Sequence, residues 1–393
     1  MEPSIDSESD KRQRMMSLDD TELSLASLSL ERAASLPPSR ADVTRLDEHG
    51  DLQLKIGPDK KVFVVDSRTV LRSSAVWASI LHKRVAMPDP DSTTSVTVEL
   101  PDDDPWALGL LLAIIHGDFS RPPASPKLEE LFRLTIATHK YDMAHVLRPW
   151  AAKWCDKLDH KQMSSFEAED ALSYLRSLWI AWELGDSSIF NSAARALLKL
   201  AEVDGDDNLV DEAGVRFDDM LNEVHFSSVD ILEAIAETRI DIIEAVLDPV
   251  DKTLQALLEG TYQCLTLPRD VQAKDELAAQ IESDCTTMVL GSLIKALVKE
   301  DLFPIPSSSD IFESVSQLQS RLRRALSAVQ TLRPHTTVDL HADREFHMSC
   351  NPGPHLIETI DEICRTKISA LLGSSAHQEH IRAQAAKTGR YDI

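Results

Sequence analysis

The fold is decided by residues 51–65, which have the sequence Asp51-Leu52-Gln53-Leu54-Lys55-Ile56-Gly57-Pro58-Asp59-Lys60-Lys61-Val62-Phe63-Val64-Val65. Polar and apolar residues alternate from 51 to 56, and this period of two predicts a β-strand with one buried face. Residues 57–60 are typical of a tight turn, and the β-branched run 61–65 predicts a second strand. Residues 51–65 are therefore expected to form a β-hairpin.

The chain after the hairpin predicts a capped helix and a third strand. Asp66 or Ser67 is suited to cap a helix over residues 68–81, where apolar residues recur at helical spacing. A polar loop follows, and residues 96–100 alternate again as a strand does.

An acidic turn and three further helices complete this first region. Residues 101–105 combine three aspartates with Pro105, a composition that favours the start of a helix. The most apolar helix of the chain is expected over 106–116, ending at Gly117. Two amphipathic helices are predicted at 128–143 and 145–158, with a break at Pro149.

The sequence beyond residue 160 shows almost only helical periodicity. The predicted helices cover residues 167–184, 187–202, 229–247, 250–265, 271–299, 311–332 and 356–372. The fold class expected is α+β: an N-terminal domain with a small sheet packed on a helical cluster, followed by a mainly α-helical C-terminal region.

The composition divides the chain into five parts. The first 45 residues contain no aromatic residue and are rich in serine and charge, so they predict a disordered tail. The parts are the tail 1–45, an α+β domain 46–159, a helical extension 160–202, an acidic loop or linker 203–228, and a C-terminal helical domain 229–393.

The net charge of −24 bears on partners and location. Residues 161–251 hold 21 acidic and 6 basic residues, whereas residues 46–159 hold 17 and 14. Such acidity argues against direct nucleic-acid binding, and the acidic middle is expected either to be a solvated surface or to steer basic partners.

The longest apolar run is too short to span a membrane. No signal peptide is recognisable, so an intracellular location, cytoplasm or nucleus, is expected.

The order of predicted elements resembles a BTB/POZ domain, most closely the divergent fungal kind. The resemblance covers about 110 residues and is carried by residues 50–54, 63–67 with Val70-Leu71, 73–77, 98–105, 110–117 and 139–142. Pieces further along, residues 147–150, 180–186 and 347–352, also resemble fungal members of this group.

The resemblance implies a non-enzymatic protein that uses the domain for homodimerisation or partner binding. In this fold the helix after the hairpin often lies at the dimer interface, so the interface candidates are Val76, Trp77, Ile80 and Leu81. The alternative for Trp77 and Ile80 is a place in the core.

Two other functions remain open from the resemblance: a substrate adaptor of a cullin-type ubiquitin ligase and a transcription-related regulator. The loop before the third strand contains no Glu, with Met87-Pro88-Asp89 the nearest imitation of the cullin-binding motif, which weakens the adaptor alternative. No DNA-binding module is recognisable in the sequence.

No catalytic motif is found, and no cofactor or catalytic residue is predicted. The one set of residues with metal-binding chemistry is His341, His347, Cys350 and His355, but the spacing matches no compact zinc finger. A turn with Cys350 packed inside is the preferred interpretation, and no metal is predicted. The five cysteines are expected to be free and mostly buried. His377 and His380 are interpreted as exposed residues of a C-terminal helix.

Overall fold

The protein combines a small N-terminal sheet with a mainly helical remainder, in agreement with the predicted α+β class. The computed structural model describes residues 43–85, 96–165, 170–220, 230–265, 276–332, 347–370 and 375–390. Most of the predicted tail and the Met87-Pro88-Asp89 loop lie outside the described residues.

The predicted hairpin is confirmed and forms the centre of the sheet. Strands β2 (Leu52–Ile56) and β3 (Lys61–Val65) are antiparallel, and β4 (Val96–Leu100) pairs in parallel with β2. The sheet order is β1-β3-β2-β4. Leu52, Leu54 and Ile56 are buried while the residues between them are half-buried, so the alternation in the sequence marks the face that packs on the helices.

The first strand of the sheet was not predicted from the sequence. Strand β1 (Val43–Arg45) pairs in parallel with β3, although residues 43–45 fall within the predicted disordered tail. Three residues are too few for a periodic pattern, and their strand conformation depends on pairing with a partner distant in sequence.

The helix predicted after the hairpin is divided in two. Helix α1 (Ser67–Ser73) begins at the N-cap Asp66, whose side chain accepts a hydrogen bond from the backbone of Thr69. Ser74 is extended, and its hydroxyl accepts from the backbone N–H of Trp77 at 3.1 Å. Ser74 thereby caps the first turn of the second helix, α2 (Ala75–Val85).

Helix α3 (Pro105–Ile115) has the start that the acidic turn predicts, because Asp104 accepts a hydrogen bond from the backbone of Ala107. All residues from Ala107 to Ile114 are buried. Helices α4 (Leu128–Tyr141) and α5 (Ala151–Ser165) follow. The chain between them forms a short 3-10 turn, Ala144–Leu147, before Pro149.

The rest of the described chain is dominated by helices. These are α6 (Ala171–Leu184), α7 (Ser187–Leu200), α8 (Phe217–Met220), α9 (Ile231–Leu258), α10 (Glu276–Lys299), α11 (Val315–Ser327), α12 (Gly353–Ala370) and α13 (Ser375–Thr388). The prediction of two helices separated near Pro249 was wrong, since α9 runs through this proline. Buried Val246 and Val250 hold the helix on both sides, and tertiary packing outweighs the local preference.

The segment predicted as an acidic loop is partly structured. Strands β5 (Glu202–Val203) and β6 (Leu209–Val210) form a short antiparallel hairpin, and α8 follows. Leu209, Val210 and Phe217 are buried, so this segment contributes to the core.

The N-terminal and helical regions share one hydrophobic core, which extends from Leu52 to Ile381. Helix α13 packs on α6, and the Thr388 hydroxyl donates to the Leu184 carbonyl at 2.7 Å. Gly185 has φ +76°, and a Cβ there would lie 2.1 Å from the backbone nitrogen of Ala385, so glycine is required for this close approach. The N-terminal sheet region and the C-terminal helices therefore contribute side chains to the same core. None of the helices in the described ranges has the length and apolar character needed to cross a bilayer.

Candidate metal centre

Three cysteines and one histidine meet where three helical segments converge. Cys264 follows the end of α9, Cys285 lies on α10, and His347 and Cys350 bracket a 3-10 turn before α12. The three thiols are buried and form a small cluster separate from the main core, with Leu332 packed against it. The imidazole of His347 is half-buried.

The ligand atoms of these residues are mutually close. Cys264 Sγ lies 3.7 Å from Cys350 Sγ and 3.6 Å from His347 Nδ1, and Cys350 Sγ lies 3.9 Å from His347 Nδ1. All four ligand atoms, including Cys285 Sγ, lie within 4.8 Å of one another. Four ligand atoms around zinc in a tetrahedron are separated by roughly 3.5–3.8 Å, given zinc–sulfur and zinc–nitrogen bonds of about 2.3 and 2.0–2.1 Å.

Neighbouring groups fix the segments that bring these residues together. The Tyr262 hydroxyl donates to the Cys350 carbonyl at 3.0 Å. The backbone N–H of Cys264 donates to Glu282 Oε1 at 3.2 Å, which connects the end of α9 to α10 one turn before Cys285. The segments on both sides of the cluster are thus held by contacts that do not use sulfur.

The burial of this cluster shifts the acidity of its groups. Burial raises the pKa of the Cys285 and Cys350 thiols above the ordinary value, and neighbouring Cys264 acts in the same direction on both. Burial also raises the pKa of Tyr262 to about 12. Thiolates are disfavoured in such surroundings unless a cation compensates their charge.

Two of the four residues, His347 and Cys350, belong to the set with metal-binding chemistry named from the sequence, for which no metal was predicted. His347 and Cys350 are brought together, but His355 is exposed on α12 and outside the cluster, and His341 lies outside the described residues. Cys264 and Cys285 were not recognised as members, since each is isolated in the sequence. The available signal was the pair His347-x-x-Cys350 together with further cysteines in the same helical region. All five cysteines are buried, as predicted, and none of them is in a disulfide.

The interface candidates do not all lie at the surface. Trp77 and Leu81 are fully buried, and Trp77 stacks on Tyr141 with ring centroids 4.5 Å apart. The proposal of these two residues as dimer contacts is therefore corrected: both belong to the core. Val76 and Ile80 are half-buried and pack against the edge of the core.

The interpretation of His377 and His380 as exposed was wrong. Both are half-buried, and His380 stacks on Trp182 while His377 meets the same ring edge-on at 5.7 Å. The apolar surface of α6 that receives them was not evident from the sequence of α13.

The chain matches no protein-family model, no curated protein and no solved structure.

Proposed function

We propose that this protein is a non-enzymatic interaction protein, in which the BTB/POZ-like region 46–159 mediates homodimerisation. The helical region, packed onto it through a shared core, provides the larger part of the surface for other protein partners.

The observation that supports this proposal is the order of the N-terminal elements. A hairpin, a capped helical segment, a strand parallel to the first hairpin strand, an acidic turn and a buried helix follow one another as the resemblance requires. The function is inferred by analogy with the fold. The exposed parts of α1 and α2 form the surface on which homodimerisation is tested.

The surface available for a second copy of the chain is smaller than the sequence suggested. With Trp77 and Leu81 in the core, the half-buried residues Val76 and Ile80 remain, one helical turn apart on α2. Ser79 precedes Ile80 and is exposed, and its small side chain leaves room for close approach of another helix. The near balance of charge in residues 46–159 also favours self-association through this region over the strongly acidic segment 161–251.

The test is the oligomeric state of the full chain. Light scattering coupled to size-exclusion chromatography is expected to show a dimer that Ile80→Glu converts to a monomer. Ile240→Glu is the matched control, because Ile240 is an exposed isoleucine on distant α9. A wild-type monomer at tens of micromolar, or equal dissociation by both substitutions, would contradict the proposal.

The cullin-adaptor alternative is separated by a second measurement. A cullin N-terminal domain is expected not to capture the full chain under conditions that capture a known adaptor. Capture would replace homodimerisation with cullin binding as the primary role of this region.

A further inference from the structure

We infer that Cys264, Cys285, His347 and Cys350 form a structural zinc site. This inference is independent of the proposed interaction function, because it concerns the helical region and rests on the geometry of four side chains.

The composition of the ligand set selects the metal. Three sulfurs and one imidazole nitrogen form a soft set that suits zinc, whereas magnesium and calcium take oxygen ligands. The mutual separation of at most 4.8 Å accommodates one ion rather than an iron–sulfur cluster, whose ligands surround several atoms. In this arrangement Nδ1 of His347 is the ligand atom, so the ring proton is on Nε2.

The number of ligands selects the role. Catalytic zinc sites keep a coordination position for water or substrate, and structural sites are closed by four protein ligands. Here four ligands converge, and the three cysteines are at most 2 % exposed. The ion therefore serves to join the end of α9, the first half of α10 and the start of α12.

A disulfide is the main competing interpretation. The sulfurs of Cys264 and Cys350, 3.7 Å apart, are close enough for oxidation to join them after a small movement. A disulfide uses two of the four groups and gives no reason for Cys285 and His347 to converge on the same point. Zinc accounts for all four.

The experiment measures metal content in the purified full chain. We expect about one zinc per chain by elemental analysis. The affinity for zinc is expected to fall more than about tenfold in His347→Ala and in Cys285→Ser. The matched controls are His355→Ala, an exposed histidine at the start of α12, and Cys364→Ser, a buried cysteine on the same helix that is outside the cluster.

A spectroscopic measurement covers variants that do not fold. The reduced, metal-free wild-type chain is expected to bind Co²⁺ with the visible absorption of tetrahedral thiolate coordination, and Zn²⁺ is expected to displace it. Chelation is expected to lower the melting temperature of the wild type and of His355→Ala, and to leave that of His347→Ala unchanged.

Three results would overturn the inference. The first is less than about a tenth of a zinc per chain together with no Co²⁺ binding by the reduced protein. The second is equal zinc content in His347→Ala and His355→Ala, which would indicate an ion bound elsewhere. The third is an intact mass of the natively purified chain that is two hydrogens below the mass of the fully reduced chain, together with a disulfide between Cys264 and Cys350 in its peptides.

Discussion

The rings of Trp182 and His380 stack face to face, with centroids 3.7 Å apart and planes 9° from parallel. Trp182 lies on α6 and His380 on α13, so this contact attaches the last described helix to the middle of the chain. The surroundings also change the acid–base behaviour of the histidine. Burial is the main cause that lowers the pKa of His380 to about 4, and nearby His139, Lys387 and His377 act in the same direction.

The first prediction concerns pH. The unfolded chain takes up a proton on His380 near its ordinary pKa of 6.5, and the folded chain takes it up only near 4. Between these values the unfolded state binds more protons, so the stability contributed by His380 falls as the pH falls from 6.5 to 4. His380→Phe, which keeps a stacked ring, is expected to reduce this loss when melting temperatures are measured across that range.

A second histidine, His139, makes stability depend on pH in the opposite direction, and its effect must be considered in the same experiment. The hydrogen bond between His139 and Glu183 raises the pKa of His139 above its ordinary value of 6.5. Its stabilisation is present below 6.5 and is lost as the pH rises through the folded-state value. His355→Phe, at an exposed position, is the control. Parallel pH profiles for the wild type and His380→Phe would contradict the prediction.

The second prediction separates core from interface for Trp77. Its side chain is fully buried and stacks on Tyr141, whose hydroxyl donates to Asp103 at 2.9 Å. Trp77→Ala is expected to lower the free energy of unfolding by about 3–5 kcal/mol, measured by urea titration.

The control for this substitution is Phe119→Ala, because Phe119 is 64 % exposed. It is expected to cost less than about 1 kcal/mol. An unchanged stability of Trp77→Ala accompanied by loss of the dimer would restore Trp77 as an interface residue.

The third prediction concerns Arg239, which is only 2 % exposed. Its guanidinium donates to the carbonyls of Ile311 and Glu313 at 2.7 and 2.6 Å and to that of Ala201 at 3.3 Å. Arg239 thus joins α9 to the end of α7 and to the segment before α11. Arg239→Met keeps much of the volume but leaves three carbonyls without this donor, and about 2–4 kcal/mol of stability is expected to be lost.

Arg365→Met serves as the comparison in the same urea titration. The side chain of Arg365 is 72 % exposed, and its replacement is expected to change stability by no more than about 0.5 kcal/mol. Equal effects of the two substitutions would show that the buried carbonyl contacts contribute little.

Local features of the fold were predictable because they depend on neighbours in sequence. The alternation in 51–56 and the β-branched run 61–65 indicated the hairpin. Asp66, one of two residues suggested as a cap, caps α1, and the acidic turn 101–105 starts α3 with Asp104 as its cap. Ser74 and Pro249 show the limit of this reasoning. A serine that caps α2 divides one predicted helix into two, and packing around a proline joins two predicted helices into one.

The candidate metal centre was only half predictable for a related reason. His347 and Cys350 are three residues apart and visible as a pair, whereas Cys264 and Cys285 join them only through the packing of α9, α10 and α12. Spacing identifies ligands that share a turn or a helix. Ligands from separate helices depend on tertiary contacts, which periodicity does not contain.

The packing of α13 on α6 has a consequence for synthesis of the protein. The ribosome releases α6 long before residues 375–388 have been made, so Trp182 remains without its stacking partner while the following helices emerge. The core around α6 is therefore completed only after translation has passed Thr388. Products that stop earlier are expected to expose this surface and to be favoured substrates for chaperones and proteases.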